Sequence, residues 1–559
     1  MMPLNGYGVV YTPQMLANFT AKLLLSETDA ETLTTDKPVT VWDPACGEGI
    51  LLKEFFREFN LYHKQTICCI GTDIERRVVN RNKKAFTNTA YQFMCKNTVI
   101  PSERITATNY WRHQVQDLSF VIANPPWSSE KVFSKTDLSQ AGYEFYTGQY
   151  DSYVLFIELC LKLTNKGGML AFIIPDSLFS GENKKLREHL VKNTQIRVIA
   201  RLGEKLFPDV NRATSIIILK NSAPTSNSTT KCYRLDTADR KSFLLGSLEL
   251  FESYVQKKHC VLQKRFKDNQ NYIFDIDTRE EEEYLLDKIA NNHIDWKSLF
   301  HFGRGVEISK SGVVVKCQYC ESAQGYSKKH LEAGYKTCQF CGKTTVVDQS
   351  NIFEIISTTN KPGYLPMYVG ENLHRYSFDG IRYIRPNVNG INYKSAELYY
   401  PPKVLIRKTG LGIYACIDYD STYISQTIYS CNYIQKENLV PLEYYLGVLN
   451  SRVMYYYYLK KYGENEWKSH PYLTKDIIFS LPIRKPDDTN MEACQKIAQL
   501  VQRIQNNYSR QLDLEIEKLV LKLYDISQEE LGLITNELNN LPDLNAVNQM
   551  KIAIGELYV

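Results

Sequence analysis

The sequence predicts an α/β domain over residues 1 to about 225, then an α+β region carrying an inserted cysteine ribbon, and last a helical tail. Three observations predict this. Short apolar runs alternate with amphipathic stretches through the first 225 residues, as in a doubly wound sheet. Two C-x2-C pairs interrupt a Tyr-, Gly- and β-branched-rich region that runs from about 301 to 485. From about 490, apolar residues recur at helical spacing.

In chain order, a helical stretch starts at Gln14. Val39-Thr40-Val41-Trp42 is strand-like and leads into Asp43-Pro44-Ala45-Cys46-Gly47-Glu48-Gly49 and an apolar helix start at Ile50. The glycines let backbone approach a ligand, and the helix start offers free N–H groups. The G-x-G-x-x-G spacing of dinucleotide sites is absent. Thr66 to Asp73 is a second strand ending in a carboxylate, which suits ribose hydroxyls or a helix N-cap. Tyr91 to Lys96 is a third strand, leading to Asn97. Phe120-Val121-Ile122-Ala123 is a buried strand that the prolines of Asn124-Pro125-Pro126-Trp127 must end. Its tip carries an amide, a rigid carbonyl and a flat ring. The Asn124 side-chain oxygen and the Pro125 carbonyl can accept two N–H bonds from a planar amino group, and Trp127 can stack on its ring. Gly167 to Pro175 and Ser215 to Leu219 are further strands. Asn221 to Lys231 is polar and reads as a linker or exposed loop.

Residues 226–300 are expected to be a linker and helical connection, helical and acidic from 270. Cys317-Gln318-Tyr319-Cys320 and Cys338-Gln339-Phe340-Cys341 lie seventeen residues apart. That spacing fits a tetrahedral zinc held by Cys317, Cys320, Cys338 and Cys341 in a ribbon at 315–343. Thiolate-only ligation leaves no open position, so the metal would be structural. The lysines around it, Lys316, Lys328, Lys329, Lys336 and Lys343, read as a solvated face. In the tail, 486–559, Ala498, Leu500, Val501 and Ile504 form one apolar stripe and Leu519 to Tyr524 another. Ser527 and Glu530 form a capping box.

Composition bounds the function. At 559 residues the chain holds roughly two to four domains. A hydrophobic content of 43% supports sizeable cores, and a net charge of +5 permits DNA binding without requiring it. The 39 tyrosines supply amphipathic groups for wet interfaces. No signal sequence is visible at Met1 to Gly8, and no apolar stretch reaches about 18 residues, so no membrane span is expected. The other cysteines sit singly among apolar neighbours, as reduced thiols do in a cytoplasmic protein.

Asp43 to Gly49 resembles motif I of the amino-methyltransferases that use S-adenosylmethionine. Asn124-Pro125-Pro126-Trp127 resembles their motif IV, and Tyr11-Thr12-Pro13 their motif X. The order X, I, IV, then a long carboxyl-terminal region is that of the gamma class of N6-adenine DNA methyltransferases of restriction–modification systems, the TaqI-like and Eco57I-like enzymes. The resemblance implies a Rossmann-like S-adenosylmethionine-dependent domain at 1–225 and a DNA target-recognition domain at 301–485. It places Tyr11, Thr12 and Pro13 at the methionine end of the cofactor. Asp43, Ala45 and Gly47 would lie against its backbone and amino group, Asp73 on the ribose and Asn97 on the adenine, where the family usually has an acidic residue. Trp127 stands where the family usually has Tyr or Phe. Leu206-Phe207-Pro208 resembles the segment whose aromatic ring meets the flipped base, which makes Phe207 that ring. Segments at Gly370 to Tyr376 and Lys403 to Gly410 resemble the recognition region, with Arg375 and Arg407 as DNA contacts.

The activity so implied is methyl transfer to the amino group of an adenine extruded from double-stranded DNA. The chain is expected to act as a monomer, with any cleavage made by a separate restriction endonuclease. Two other readings compete. One is a protein glutamine methyltransferase, whose Asn-Pro-Pro-aromatic holds an amide, but those enzymes lack a large carboxyl-terminal domain. The other is a zinc-containing DNA-binding protein with a vestigial methylase half, which the intact Asp43, Gly47, Asp73 and Asn124 oppose. N4-cytosine is a minor alternative target.

Overall fold

The structure, a computed structural model, describes residues 11–29, 33, 38–128, 133–146, 151–179, 183–207, 212–309, 311–434, 440–463, 473–541 and 544–557. The chain divides into two units, residues 1–281 and most of 282–559.

The first unit is built on a nine-stranded sheet. Its strands are β1 (Val39–Asp43), β2 (Ile67–Asp73), β3 (Tyr91–Cys95), β4 (Leu118–Ala123), β5 (Met169–Pro175), β6 (Gln195–Gly203), β7 (Thr214–Lys220), β8 (Thr229–Arg234) and β9 (His259–Leu262). Their order across the sheet is β3-β2-β1-β4-β5-β7-β6-β8-β9. The five strands from β3 to β5 run parallel. β7 lies antiparallel to both β5 and β6. Continuous apolar runs suit strands covered on both faces, and β1 and β5 are buried along their whole length. One face carries α1 (Gln14–Ser26) and α2 (Ile50–Tyr62), which pack Leu16, Phe19, Leu52 and Phe55 on Val41, Phe120 and Ile122. After α3 (Arg76–Ala85) come α4 (Ala107–Arg112), α5 (Lys135–Gln140) and α6 (Tyr153–Leu163). The opposite core joins Trp111, Leu138 and Phe156 of these last three helices to Trp42 and Val121. Every described residue of α6 but Lys162 is buried.

Residues 226–300 are not a linker. β8 and β9 extend the sheet, with Val198–Arg201 of β6 paired to Lys231–Arg234 of β8. Glu280–Ala290 is the expected helix.

In the second unit, Phe300–Arg304, Ile428–Tyr433, Lys403–Arg407 and Ala415–Asp418 form an antiparallel sheet in that order. Helices Leu442–Leu449 and Arg452–Tyr462 and the tail helices Met491–Asn506, Arg510–Leu523 and Gln528–Asn539 share one apolar core with it. The expected boundary at 485/486 therefore runs through a common core. Ser527 and Glu530 cap the last of these helices as expected. The ribbon joins Val313–Lys316 to Ala323–Gln324 and Ile352–Glu354, with a hairpin of Tyr335–Thr337 and Thr344–Val346. Among the described residues no helix is long and apolar enough to cross a membrane.

A charged cluster sits inside the second unit. Asp513 pairs with Arg375 at 2.6 Å and Arg452 at 2.9 Å, and Arg452 also pairs with Glu517 at 3.1 Å. Burial opposes ionisation of Asp513, but the two guanidiniums outweigh it and hold the carboxyl down to about 2. Removing one partner strands a buried charge, which costs about 3–5 kcal/mol. Asp513→Ala is therefore expected to lower the unfolding free energy of this unit by about that amount in denaturant titration. The depressed folded-state value means the stabilisation is complete above the unfolded value of roughly 3.9. It is lost as pH falls toward about 2. An acid unfolding profile unchanged by the substitution would contradict this.

Candidate active site

Strand order reverses at β1. The chain leaves β1 for β2 and β3 on one side, then returns to β4 on the other. The loops after β1 and β4 therefore part and leave a crevice at the carboxyl ends of the strands. Asp43 ends β1, Asp73 ends β2, and Asn124 follows β4. A cavity of about 380 Å³ occupies this crevice.

The loop after β1 is held from behind. Asp43 Oδ1 accepts the Ala45 N–H at 3.0 Å, and Cys46 N–H bonds to Thr72 O at 2.9 Å. Gly47 and Gly49 take φ of +48° and +76°, where a side chain would be strained. A Cβ on Gly49 would also meet the Phe86 ring at 3.0 Å. Gly47 N–H donates to Asp73 Oδ2 at 3.0 Å, so the carboxylate ending β2 fastens the β1 loop. Asp73 Oδ1 accepts from Glu75 N–H and opens the turn into α3. Asn82 donates to Gly47 O at 2.7 Å and Thr98 to Pro44 O at 2.6 Å. Asn97 Oδ1 accepts the N–H groups of Val99 and Ile100.

Nine of the residues expected at the site line the cavity: Tyr11, Thr12, Asp43, Ala45, Gly47, Asp73, Asn97, Asn124 and Pro126. Asn124 Nδ2 donates to Thr12 Oγ1 at 3.0 Å, which ties the segment before α1 to the end of β4. Asp43 is 1% exposed. Burial pushes its carboxyl up to about 8, although the Ala45 N–H pulls the other way. Its Oδ2 accepts no hydrogen bond among the described residues. A buried carboxyl oxygen with no partner, on the wall of a cavity, is a site for an ammonium or N–H donor.

Four expected residues stand back from the cavity. Pro13 precedes α1, and its carbonyl accepts from Leu16 and Ala17. Pro125 is buried behind Asn124. Trp127 and Phe207 lie in the apolar core at 6% and 3% exposure, edge to face with centroids 5.2 Å apart. Their rings pack on each other, because both side chains fall on the α1–α2 side of the sheet. Pro208, beside Phe207, lies outside the described residues.

Three supports were not foreseen. Ser152 and Arg212 reach the loop after Asn124 from the start of α6 and the start of β7, and Asp151 pairs with Arg212. In the sequence, a Ser before an apolar helix signals only a cap. Asn82 and Thr98 likewise carry no local signature.

In the second unit, the four cysteine Sγ atoms lie within 4.8 Å of one another. Cys317 and Cys341 are 3.7 Å apart, and Cys320 and Cys338 3.6 Å. Metal–sulfur bonds of about 2.3 Å at tetrahedral angles put sulfurs about 3.8 Å apart, so the set fits a zinc ion. N–H and O–H donors of Ser322 hold the Cys320 thiol down to about 6. Arg375 is not available to DNA: it is 3% exposed, paired with Asp513, and donates to Asn450 O. A guanidinium inside a core balances a buried carboxylate instead of a phosphate. Arg407 is half-buried on a cleft of about 200 Å³ shared with Glu371, Gln426 and Thr427, and its Nε donates to Thr409 O.

Comparison with known proteins agrees with this geometry. Residues 5–207 match the Eco57I restriction-modification methylase family, and residues 365–483 match the TaqI-like C-terminal specificity domain. The type I restriction enzyme MjaVII methylase subunit of Methanocaldococcus jannaschii is 25% identical over 54% of this chain and 47% of its own length. The type II methyltransferase M.BanIII of Aneurinibacillus aneurinilyticus is 24% identical over 36% of each chain. The chain thus spans less than half the length of these relatives. Among solved structures, the DNA-bound, ATP-dependent type ISP restriction-modification enzyme LlaBIII matches in fold with a TM-score of 0.50 and 11% identity, over 88% of this chain and 39% of its own. A nuclease-deletion mutant of LlaGI, of the same type, gives a TM-score of 0.50 at 13% identity, over 89% of this chain and 54% of its own. The match to the Eco57I restriction-modification methylase family spans every residue that lines the cavity of the first unit, and the match to the TaqI-like C-terminal specificity domain begins at residue 365.

Proposed function

We propose that this chain transfers a methyl group from S-adenosylmethionine to the N6 amino group of an adenine in double-stranded DNA, within a restriction–modification system. The observation that carries this reading is the convergence of Thr12, Asp43, Gly47, Asp73 and Asn124 on one cavity at the strand-order reversal. The relatives are restriction–modification methylases, and the second unit contains the match to a specificity domain.

S-adenosylmethionine supplies an electrophilic methyl group on sulfur. Asp43 would hold its ammonium group, Asp73 its ribose hydroxyls, and Asn97 its adenine ring. A target base inside a duplex is extruded into the pocket at a cost of roughly a few kcal/mol. Asn124 and the Pro125 carbonyl accept hydrogen bonds from its amino group, which aligns the nitrogen lone pair with the methyl group. As the nitrogen–methyl bond forms, the sulfur–methyl bond breaks and a neutral thioether leaves; the step depends on alignment more than on a strong base, no residue is assigned as one, and the amino proton passes to water. Stacking of the base on Trp127 and Phe207 requires these rings, edge to face here, to separate as it enters. In this reading the protein acts as a monomer, with a separate restriction endonuclease as its partner in the system. Arg407 contacts DNA from the cleft it shares with Gln426. The four cysteines hold a structural zinc. Four adjacent thiols cannot all ionise unaided: although the Lys343 N–H favours its thiolate, burial and the neighbouring sulfurs push Cys341 up to about 11.

Labelled methyl transfer to duplex DNA tests the reaction. Asn124→Ala is expected to keep cofactor affinity and lose turnover. Near wild-type rates would remove Asn124 from the mechanism.

Asp43→Asn is expected to raise the Kd for S-adenosylmethionine roughly ten- to a hundredfold, the equivalent of a hydrogen bond to a charged group at about 1.5–3 kcal/mol. Its carboxyl, pushed up to about 8, carries a proton at neutral pH. Pairing with an ammonium favours the ionised form, so binding at neutral pH should release a proton. Calorimetry in buffers of different ionisation enthalpy reads both effects, and an unchanged Kd would contradict the assignment.

The purified chain should contain one zinc. Its removal should loosen residues 301–345 in hydrogen exchange and weaken DNA binding. Unchanged DNA affinity after confirmed metal loss would make the ribbon a bystander.

A further inference from the structure

The loop that follows Asn124 makes an unusual set of bonds. Ser152, just before α6, donates its hydroxyl to Pro126 O at 2.5 Å and accepts Ser128 N–H at 3.1 Å. Its own N–H bonds to Ser128 O at 2.9 Å. Arg212 donates through Nη1 to Trp127 O at 3.0 Å. The same guanidinium pairs with Asp151 at 2.6 Å, and Ser177 donates to Asp151 at 2.5 Å. Asp151 and Ser152 are 6% and 5% exposed. Three consecutive carbonyls, those of Pro126, Trp127 and Ser128, are thus each fastened. Among the described residues, the carbonyl before them, Pro125 O, accepts no hydrogen bond.

We propose that Ser152 and the Arg212–Asp151 pair are positioning residues that lock the peptide planes after Pro125 and so leave the Pro125 carbonyl available to the amino group of the substrate base. This rests on the methyl-transfer reading. Two successive prolines fix φ at Pro125 and Pro126 but leave ψ to be set. Rotation about ψ of Pro125 turns the very carbonyl that must meet the substrate. Anchoring the next three carbonyls removes that freedom from the carboxyl side, and the Thr12–Asn124 bond holds the amino side. Neither Ser152 nor Arg212 needs to touch the reacting atoms. A misplacement of about 1 Å at such a site costs on the order of a hundredfold in rate.

Ser152→Ala and Ser152→Thr in the full chain separate this role from a general packing effect. Between Pro125 and Ser128 only Trp127 and Ser128 carry amide hydrogens, so hydrogen exchange of this segment reads the brace directly. Ser152→Ala should speed Ser128 exchange and lower kcat about tenfold or more, with the Kd for S-adenosylmethionine unchanged and the Tm lowered by a few degrees for the two stranded groups. Ser152→Thr, which keeps the hydroxyl, should restore both. Arg212→Lys, which keeps the charge opposite Asp151 but cannot also span to Trp127 O, should lower kcat less than Arg212→Gln. The proposal is overturned if Ser128 exchange is unaltered in Ser152→Ala. It is also overturned if kcat is unaltered, or if kcat and cofactor affinity fall together. A wild-type chain that transfers no methyl group to DNA sinks the reaction instead, and the exchange measurement then decides the brace by itself.

Discussion

The reversal of strand order at β1 governs where every chemical group of this site can stand. Parallel strands all end on the same edge of the sheet. Where neighbouring strands connect in opposite directions, the loops above them part. Asp43, Asp73 and Asn124 come from three different strands, yet the same edge delivers all three to one cavity. The apolar cores on both faces hold that edge rigid. Trp42 and Trp111 lie 5.1 Å apart on one face, and Phe55 and Phe120 5.2 Å apart on the other. Loops on such a scaffold are placed by backbone geometry before any side chain acts. Gly47 and Gly49 then bend the first loop, and Ser152 and Arg212 brace the second.

Two buried aspartates show how surroundings decide the role of one residue type. Both Asp43 and Asp513 are at or below 1% exposure. Asp513 has two guanidiniums beside it and stays ionised, down to about 2. Asp43 is driven up by burial itself, with a single backbone donor to oppose it and the like charge of Asp73 to add to it, and it rises to about 8. The first carboxylate is satisfied within the protein and holds helices to the strand region. The second keeps an oxygen for a group the protein does not supply. A carboxyl left short of partners is costly to the fold, and such costs gather where a ligand is to be bound.

Much of the first unit was legible because its signals are local. Apolar runs ending in Asp43, Asp73 and Asn124 marked strands, and the residue that ended each run stands at the cavity. The four cysteines and the Ser527–Glu530 cap were legible for the same reason. The failures involve contacts between residues far apart in sequence. Thr229–Arg234 is mostly polar and followed a polar stretch, so it read as linker; its partner, β6, lies about thirty residues upstream. Arg375 looked like a phosphate contact because Asp513, more than a hundred residues later, gives no local sign of meeting it. The edge-to-face contact of Trp127 with Phe207 in the core was silent for the same reason. Ser152 was silent because its hydroxyl serves a carbonyl twenty-six residues upstream.

The most direct test is modified-base sequencing of plasmid DNA from a methylation-free host that expresses this chain. The account predicts N6-methyladenine confined to one short sequence context. The absence of any modified base, from a protein shown to be folded and to bind S-adenosylmethionine, would contradict it.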